Sequence, residues 1–301
     1  MYKIGDYNEL SVKRKTDLGY VLTNSDNDEI FMHQNDCSDN DLLINDIVYC
    51  FLFFDNKKRL CATNKKVFAT TTQLGLLEVK QVNAGLGVFL DNNTTKDILL
   101  SEKFLPTKQI CWPNHGGKLL VYLLATPTNI SARIVSKAKY DEYLDNTNLL
   151  NLLSDNVITK GSSYDGYVYN HVGGGIVVAT MINGQILSVY IYNSLYRIKP
   201  ALGELVNYRI TEINIEEKSI LAAINPQKEM LIEDDSKIIY EYLLNNNKEM
   251  SFNNASDPAD ILSVFNMSKK AYKRALGSLY KKRLIDFKNE KTILIALKDE
   301  V

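Results

Sequence analysis

The sequence is short of most groups that perform covalent chemistry. It holds four cysteines (Cys37, Cys50, Cys61 and Cys111), three histidines and one tryptophan in 301 residues. No CxxC pair occurs, and the spread of the cysteines suits reduced thiols in a cytosolic protein better than a metal frame. His33, His115 and His171 lie in separate units or loops without HxxxH or His/Cys spacing, so no metal site is expected. No Ser/His/Asp grouping stands out either, and the expectation is a non-catalytic chain without a cofactor. The longest apolar run, 47–54, is far below the roughly 18–20 residues of a membrane helix and fits one buried strand. The first residues, Met1-Tyr2-Lys3-Ile4-Gly5-Asp6, lack an apolar signal region. A cytoplasmic protein with no membrane partner is therefore expected. Charge of one sign is also missing in bulk: 35 Lys plus Arg face 36 Asp plus Glu. That excludes a chain basic throughout, the usual pattern of a nucleic-acid binder. With 45% hydrophobic and 24% charged residues, a mainly disordered chain is excluded too.

What is present is repetition. Gly19-Tyr20-Val21-Leu22 lines up with Gly87-Val88-Phe89-Leu90 and again with Gly175-Ile176-Val177-Val178. Ile30-Phe31-Met32 lines up with Ile98-Leu99-Leu100 and Ile186-Leu187-Ser188. Leu60-Cys61-Ala62 matches Ile130-Ser131-Ala132 and Ile220-Leu221-Ala222. Each unit reads as five short strands, in the second unit 76–82, 87–90, 98–100, 118–125 and 130–135. Five strands in so short a unit, with a longer connection between the third and fourth, predict an OB-type barrel. The repeated glycine is read as the bend before strand two. Gly173-Gly174-Gly175 lacks the Lys-Ser/Thr of a phosphate loop and is read the same way. The division is 1–67, 68–136 and 157–226 for the barrels, with 137–156 as a helical linker.

From about residue 227 the apolar period lengthens to that of a helix. Ile238, Ile239, Tyr242 and Leu243 mark a first helical face. Glu233-Asp234-Asp235 is read as preceding that helix, where negative charge suits the N-terminus. Asp257-Pro258 is an N-cap followed by proline at the first helical position. After Asn266-Met267, Ser268 caps a third helix whose buried face is Tyr272, Ala275, Leu276 and Leu279. Strands 284–287 and 292–297 complete the order of a winged helix over 227–301. Residues 268–283 contain no acid but seven bases: Lys269, Lys270, Lys273, Arg274, Lys281, Lys282 and Arg283.

The stretch Asn266-Met267-Ser268-Lys269-Lys270-Ala271-Tyr272-Lys273-Arg274-Ala275-Leu276-Gly277-Ser278-Leu279-Tyr280-Lys281 resembles the winged-helix signature of the conserved virulence factor B family. Gly85-Leu86-Gly87-Val88-Phe89-Leu90-Asp91, with Leu105-Pro106 and Trp112-Pro113, is similar to that family's second unit. Pro200-Ala201-Leu202-Gly203 resembles the approach to strand four of its third. The resemblance covers essentially the whole chain. It implies a mainly β protein of three tandem S1-type OB barrels with a C-terminal α+β winged helix. By this resemblance the protein would bind RNA and act in post-transcriptional gene regulation.

S1 barrels hold single strands by stacking bases on exposed rings and by placing cations near phosphates. On that basis the candidate RNA-binding residues are Phe89, Lys80 and Lys118 in the second unit, and Tyr190, Tyr192, Arg197 and Lys199 in the third. In the winged helix they are Lys269, Lys270, Lys273, Arg274 and Lys281. Unit one offers Tyr20, Phe31 and His33. The expected partner is single-stranded RNA, with duplex nucleic acid at the winged helix as a second option. A DNA-binding regulator and an adaptor on RNA-handling machinery are the rival readings. The near-zero net charge conceals an uneven spread: unit one carries 11 acids against 9 bases, whereas the third helix of the last domain is wholly basic.

Overall fold

A computed structural model of the chain describes residues 2–38, 41–145, 158–196, 199–224, 228–288 and 290–295. It divides into two compact units, Met1–Asn225 and Pro226–Val301. The first unit contains three closed five-stranded barrels. Strands β1 (Tyr7–Thr16), β2 (Gly19–Thr23), β3 (Glu29–His33), β4 (Ile47–Phe54) and β5 (Leu60–Thr63) form the first. The second comprises β6 (Gly75–Asn83), β7 (Gly87–Asp91), β8 (Ile98–Ser101), β9 (Lys118–Thr126) and β10 (Asn129–Ile134). The third comprises β11 (Ser163–Val172), β12 (Gly175–Ile182), β13 (Gln185–Tyr192), β14 (Leu205–Asn214) and β15 (Ser219–Ile224).

All three share one connectivity. Strand one pairs with strands two and four, and strand three meets strand five in parallel, at Phe31–Cys61, Leu99–Ser131 and Tyr190–Leu221. A bulge in strand one, at Val12/Arg14, Val79/Gln81 and Val168/Asn170, lets each strand coil enough to join both neighbours. The repeated glycine does more than bend the chain. Gly19 and Gly87 have φ of 147° and 131°. A side chain at Gly19, Gly87 or Gly175 would run into the carbonyl oxygen of Met32, Leu100 or Ile191 on strand three. Only glycine lets strands two and three approach this closely.

The pairings correct the alignment of strand three. Gly87 pairs with Ser101, but Gly175 pairs with Tyr192. The counterpart of Ile98 is therefore Val189, not Ile186. The β12–β13 hairpin is longer than β7–β8, and Ile186-Leu187-Ser188 belong to the extension. Tyr20 is also reassigned: it pairs with Met32 and is buried in the first barrel's core, not offered to a ligand. The apolar run of β4 is not wholly buried, because Ile47 and Tyr49 face solvent.

The linker reading covers a docked helix. Helix α1 (Lys137–Asp145) buries Tyr140 and Leu144 against Leu74 and Leu120 of the second barrel and Ile186 of the third. The Tyr140 hydroxyl donates to Ile186 O at 2.9 Å and accepts from Ser188 N at 2.8 Å. It thus satisfies backbone groups on the extended part of β13. The rest of the linker, 146–156, lies outside the described residues. One apolar cluster runs through all three barrels, from Phe51 and Phe53 through Leu90 and Trp112 to Leu187 and Tyr208.

The second unit is a winged helix: α2 (Lys228–Asn245), β16 (Glu249–Met250), α3 (Pro258–Phe265), α4 (Lys269–Lys281), β17 (Ile285–Lys288) and β18 (Lys291–Leu294). The strands order as β16-β18-β17. Asp257 caps α3 by accepting from Ala259 N, and Ser268 caps α4 by accepting from Ala271 N. Asn266, with φ of 50°, makes the left-handed turn between them. Ile239, Leu243, Phe265, Tyr272, Leu276 and Leu279 share the core. Helix α2 starts earlier than its apolar face indicated, so Glu233-Asp234-Asp235 falls within the helix, not before it.

Candidate nucleic-acid interface

In each barrel the outward positions of strands two and three form a small grid fixed by register. In the third barrel these are Val177 on β12 and Tyr190 and Tyr192 on β13. The two tyrosine rings meet edge to face, centroids 4.8 Å apart at 89°. Tyr192 is 47% exposed and Tyr190 is half-buried. Tyr190 donates its hydroxyl to Gly173 O at 3.1 Å. The neighbouring glycines make room for that phenol, since a Cβ at Gly175 would lie 2.7 Å from the Tyr190 hydroxyl oxygen. Desolvation, then Tyr192, pushes the Tyr190 phenol up, so it stays a neutral donor at physiological pH. Tyr196 adds a third phenol, raised by burial and then by Tyr190. Nearby, His171 Nε2 bonds Pro200 O at 2.8 Å, and its pKa is lowered by burial, with Lys199 as a smaller cause. Lys199 is exposed, and Arg197 lies outside the described residues.

The second barrel fills the grid differently. Phe89 on β7 is half-buried on the outer face and pairs with Leu99, while Ser101 takes the place of Tyr192. Three residues that sequence reasoning missed extend this face. The Arg133 guanidinium lies 3.8 Å from the centroid of the exposed Phe104 ring, and Lys103 Nζ lies 4.9 Å from it. Arg133 is held there by donating to Ser131 Oγ at 3.3 Å and Ala132 O at 2.7 Å. Such a plane-on-ring stack leaves a flat cationic surface suited to a base or a phosphate. No local signal joins positions 104 and 133; only barrel closure does.

The predicted cations of this barrel are less available. Lys80 Nζ sits between Glu78 at 3.0 Å and Asp91 at 3.3 Å. Lys118 heads β9, and its Nζ lies 5.5 Å from the Tyr167 ring of the third barrel. An open cleft of about 540 Å³ lies beside Lys80, lined also by Gln81, Val82, Trp112 and His115. In the first barrel the grid holds Val21, which is buried, and Phe31 and His33, which meet edge to face at 6.2 Å.

In the winged helix, α4 buries Ala271, Tyr272, Ala275, Leu276 and Leu279. Lys270, Lys273 and Lys281 are exposed around it. Lys269 donates to Ala255 O at 3.3 Å. Arg274 is half-buried. Tyr280 packs against Phe287 of β17, centroids 5.6 Å apart and tilted by 31°, and is 53% exposed, a ring pair at the wing that the pattern did not reveal. Among the described residues no His/Cys/Asp/Glu group is placed to hold a metal. Among them, too, no helix is long and apolar enough to cross a membrane.

Comparison with known proteins places this arrangement. Residues 237–294 match the CvfB-like winged helix domain, 4–65 match the S1 domain and 74–129 match the CvfB first S1-like domain. YitL of Bacillus subtilis strain 168 is 31% identical over 272 residues, covering 90% of this chain and 87% of that protein. Conserved virulence factor B of Staphylococcus epidermidis RP62A is 26% identical over 277 residues, covering 91% and 89%. The chain belongs to the conserved virulence factor B family. A crystal structure of a multidomain protein with nucleic acid binding domains from Streptococcus pneumoniae TIGR4 shares the fold. Its TM-score is 0.58 at 23% identity, over 97% of this chain and 98% of that one. One reading changes: the segment containing Gly85 to Asp91 matches the domain counted first in the conserved virulence factor B family, not second. S1-like and winged-helix domains together support nucleic-acid binding, and the matched domains include no catalytic one.

Proposed function

We propose that this member of the conserved virulence factor B family is a non-catalytic, cytoplasmic protein that binds single-stranded RNA and acts in post-transcriptional regulation. The domains would be barrels 1–67, 68–136 and 157–226, the linker 137–156 and the winged helix 227–301. The third barrel would carry the main stacking site and the winged helix the main phosphate contacts, with the second barrel assisting. The observation that carries the reading is the Tyr190–Tyr192 pair. Two phenols set edge to face on the outside of a barrel serve no core, and unpaired bases stack on such surfaces. Phe89, Lys80, Lys118, Arg197, Lys199, Lys269, Lys270, Lys273, Arg274 and Lys281 are the remaining proposed contacts.

The test is affinity for short single-stranded RNA, measured with the full chain and with a truncation ending near residue 226. Loss of affinity and of salt dependence in the truncation supports the assigned role of the winged helix. Lys270→Ala with Lys273→Ala removes two exposed cations and should lower the salt slope by about 1.4. An unchanged slope would remove α4 from the interface. The helix-turn-helix and its wing hairpin also favour a second reading, duplex DNA recognition, which direct competition between duplex DNA and single-stranded RNA separates.

A further inference from the structure

The first barrel carries an apolar surface outside the residues proposed to contact RNA. Ile47 and Tyr49 alternate with buried Val48 and Cys50 along β4 and are 63% and 64% exposed. The turn entering β4 adds Leu43 and Ile44, at 70% and 61%. That turn is fixed: Leu43 N donates to Asp46 Oδ2 and Asn45 N donates to Val12 O, both at 2.7 Å. Ile47 and Tyr49 pair with Ser11 and Glu9 on β1, and Tyr7 stacks against Tyr49 at 6.3 Å. Ile47 also lines an open cleft of about 490 Å³ that includes Tyr2, Glu9 and Ser25. A single exposed apolar residue is ordinary, whereas a group of four along one turn and strand marks an interaction surface.

The charge beside this face is mostly acidic: Glu9 on β1, Asp26 and Asp28 near Tyr2, and Asp41 and Asp46 flanking the turn. Residues 16–56 contain nine acids and no Lys or Arg. Burial, then Asp28 and Asp26, pushes the Tyr2 phenol in the cleft up to about 12. Of the bases nearby, Lys13 and Arg14 are both paired to Glu29, at 3.0 and 3.1 Å, Lys3 follows Tyr2, and Lys65 accepts at its carbonyl from the hydroxyl of Tyr7, the ring beside Tyr49. The basic tip at residues 57–59 lies beyond the other end of β4. Phosphates would be repelled here, and a second copy presenting the same face would set like charge against like. We propose that this face docks a cationic polypeptide segment bearing apolar side chains, making the first barrel a protein-recognition domain.

The experiment is an amide-shift titration of the ¹⁵N-labelled full chain with a synthetic amphipathic lysine–leucine peptide, at about 150 mM salt. The expected result is shifts concentrated at residues 9–11 and 43–49. The variant Leu43→Ser, Ile47→Ser, Tyr49→Ser should bind the peptide at least about tenfold more weakly. Glu9→Lys, which leaves the apolar group intact, should weaken it several-fold. Shifts centred on the third barrel, or spread evenly over all acidic surfaces, would overturn the proposal. So would peptide affinity unchanged by Glu9→Lys, or poly-uridine RNA shifting the same residues. A dimer of the unmodified chain that the triple-serine variant dissociates would instead assign the face to self-association and overturn it equally.

Discussion

The second and third barrels share one topology and one register, yet the aromatic residues occupy different squares of the same grid. In the second barrel the ring is on strand two, at Phe89, opposite Leu99 and near Ser101. In the third it has moved to strand three, at Tyr190 opposite Val177 and Tyr192 opposite Gly175. The barrel fixes where an outward ring can stand, and the side chains decide which position carries one. The difference also bears on Gly174, where a Cβ would lie 3.1 Å from the Tyr190 hydroxyl oxygen and where the second barrel has Leu86.

The largest expected effect tests what the two barrels share. Gly87→Ala sets a Cβ against Leu100 O at a left-handed φ, and should cost about 3 kcal/mol or more in denaturant unfolding. A loss below about 1 kcal/mol would show that the close approach of strands two and three is dispensable. Next comes what separates them. Tyr190→Ala with Tyr192→Ala should weaken single-stranded RNA binding by at least about tenfold, given roughly 1–3 kcal/mol per stacked base, while Phe89→Ala has the smaller effect. Equal losses would erase the distinction between the barrels. Tyr140→Phe leaves Ile186 O and Ser188 N without their partner and should cost about 2 kcal/mol of stability with RNA affinity unchanged. The smallest effect is a gain. Val177→Phe restores the strand-two ring in the third barrel and should tighten RNA binding a few-fold, by up to about 1 kcal/mol; no gain would mean that the two strands' rings act as alternatives.

The threefold repeat, the strand sets and the capped helices of the winged helix were legible because each rests on local chemistry. Glycine precedes strand two for a steric reason, and Asp257 and Ser268 announce helices through their side-chain oxygens. The strand-three offset was misread because Ile186-Leu187-Ser188 imitate Ile98-Leu99-Leu100, while the true counterpart is set by pairing with Gly175. Tyr20 was misread because alternation alone does not say which face of a closed barrel is inside. Tyr190 and Tyr192 were legible as a pair sharing one strand face. Arg133 on Phe104, Tyr280 on Phe287 and the carboxylates around Lys80 were not, since each is made by residues that meet only after closure or packing.

The apolar cluster that runs from Phe51 to Tyr208 bears on heredity as well as stability. A tandem array looks like beads that evolution could add, drop or exchange singly. Cutting between these barrels would bare Phe51 and Phe53 on one side or Trp112 and Leu202 on the other. Duplication could create such a chain, but its buried seams now tie the three barrels to one another. They are expected to melt in one transition and to change, over generations, as a single piece.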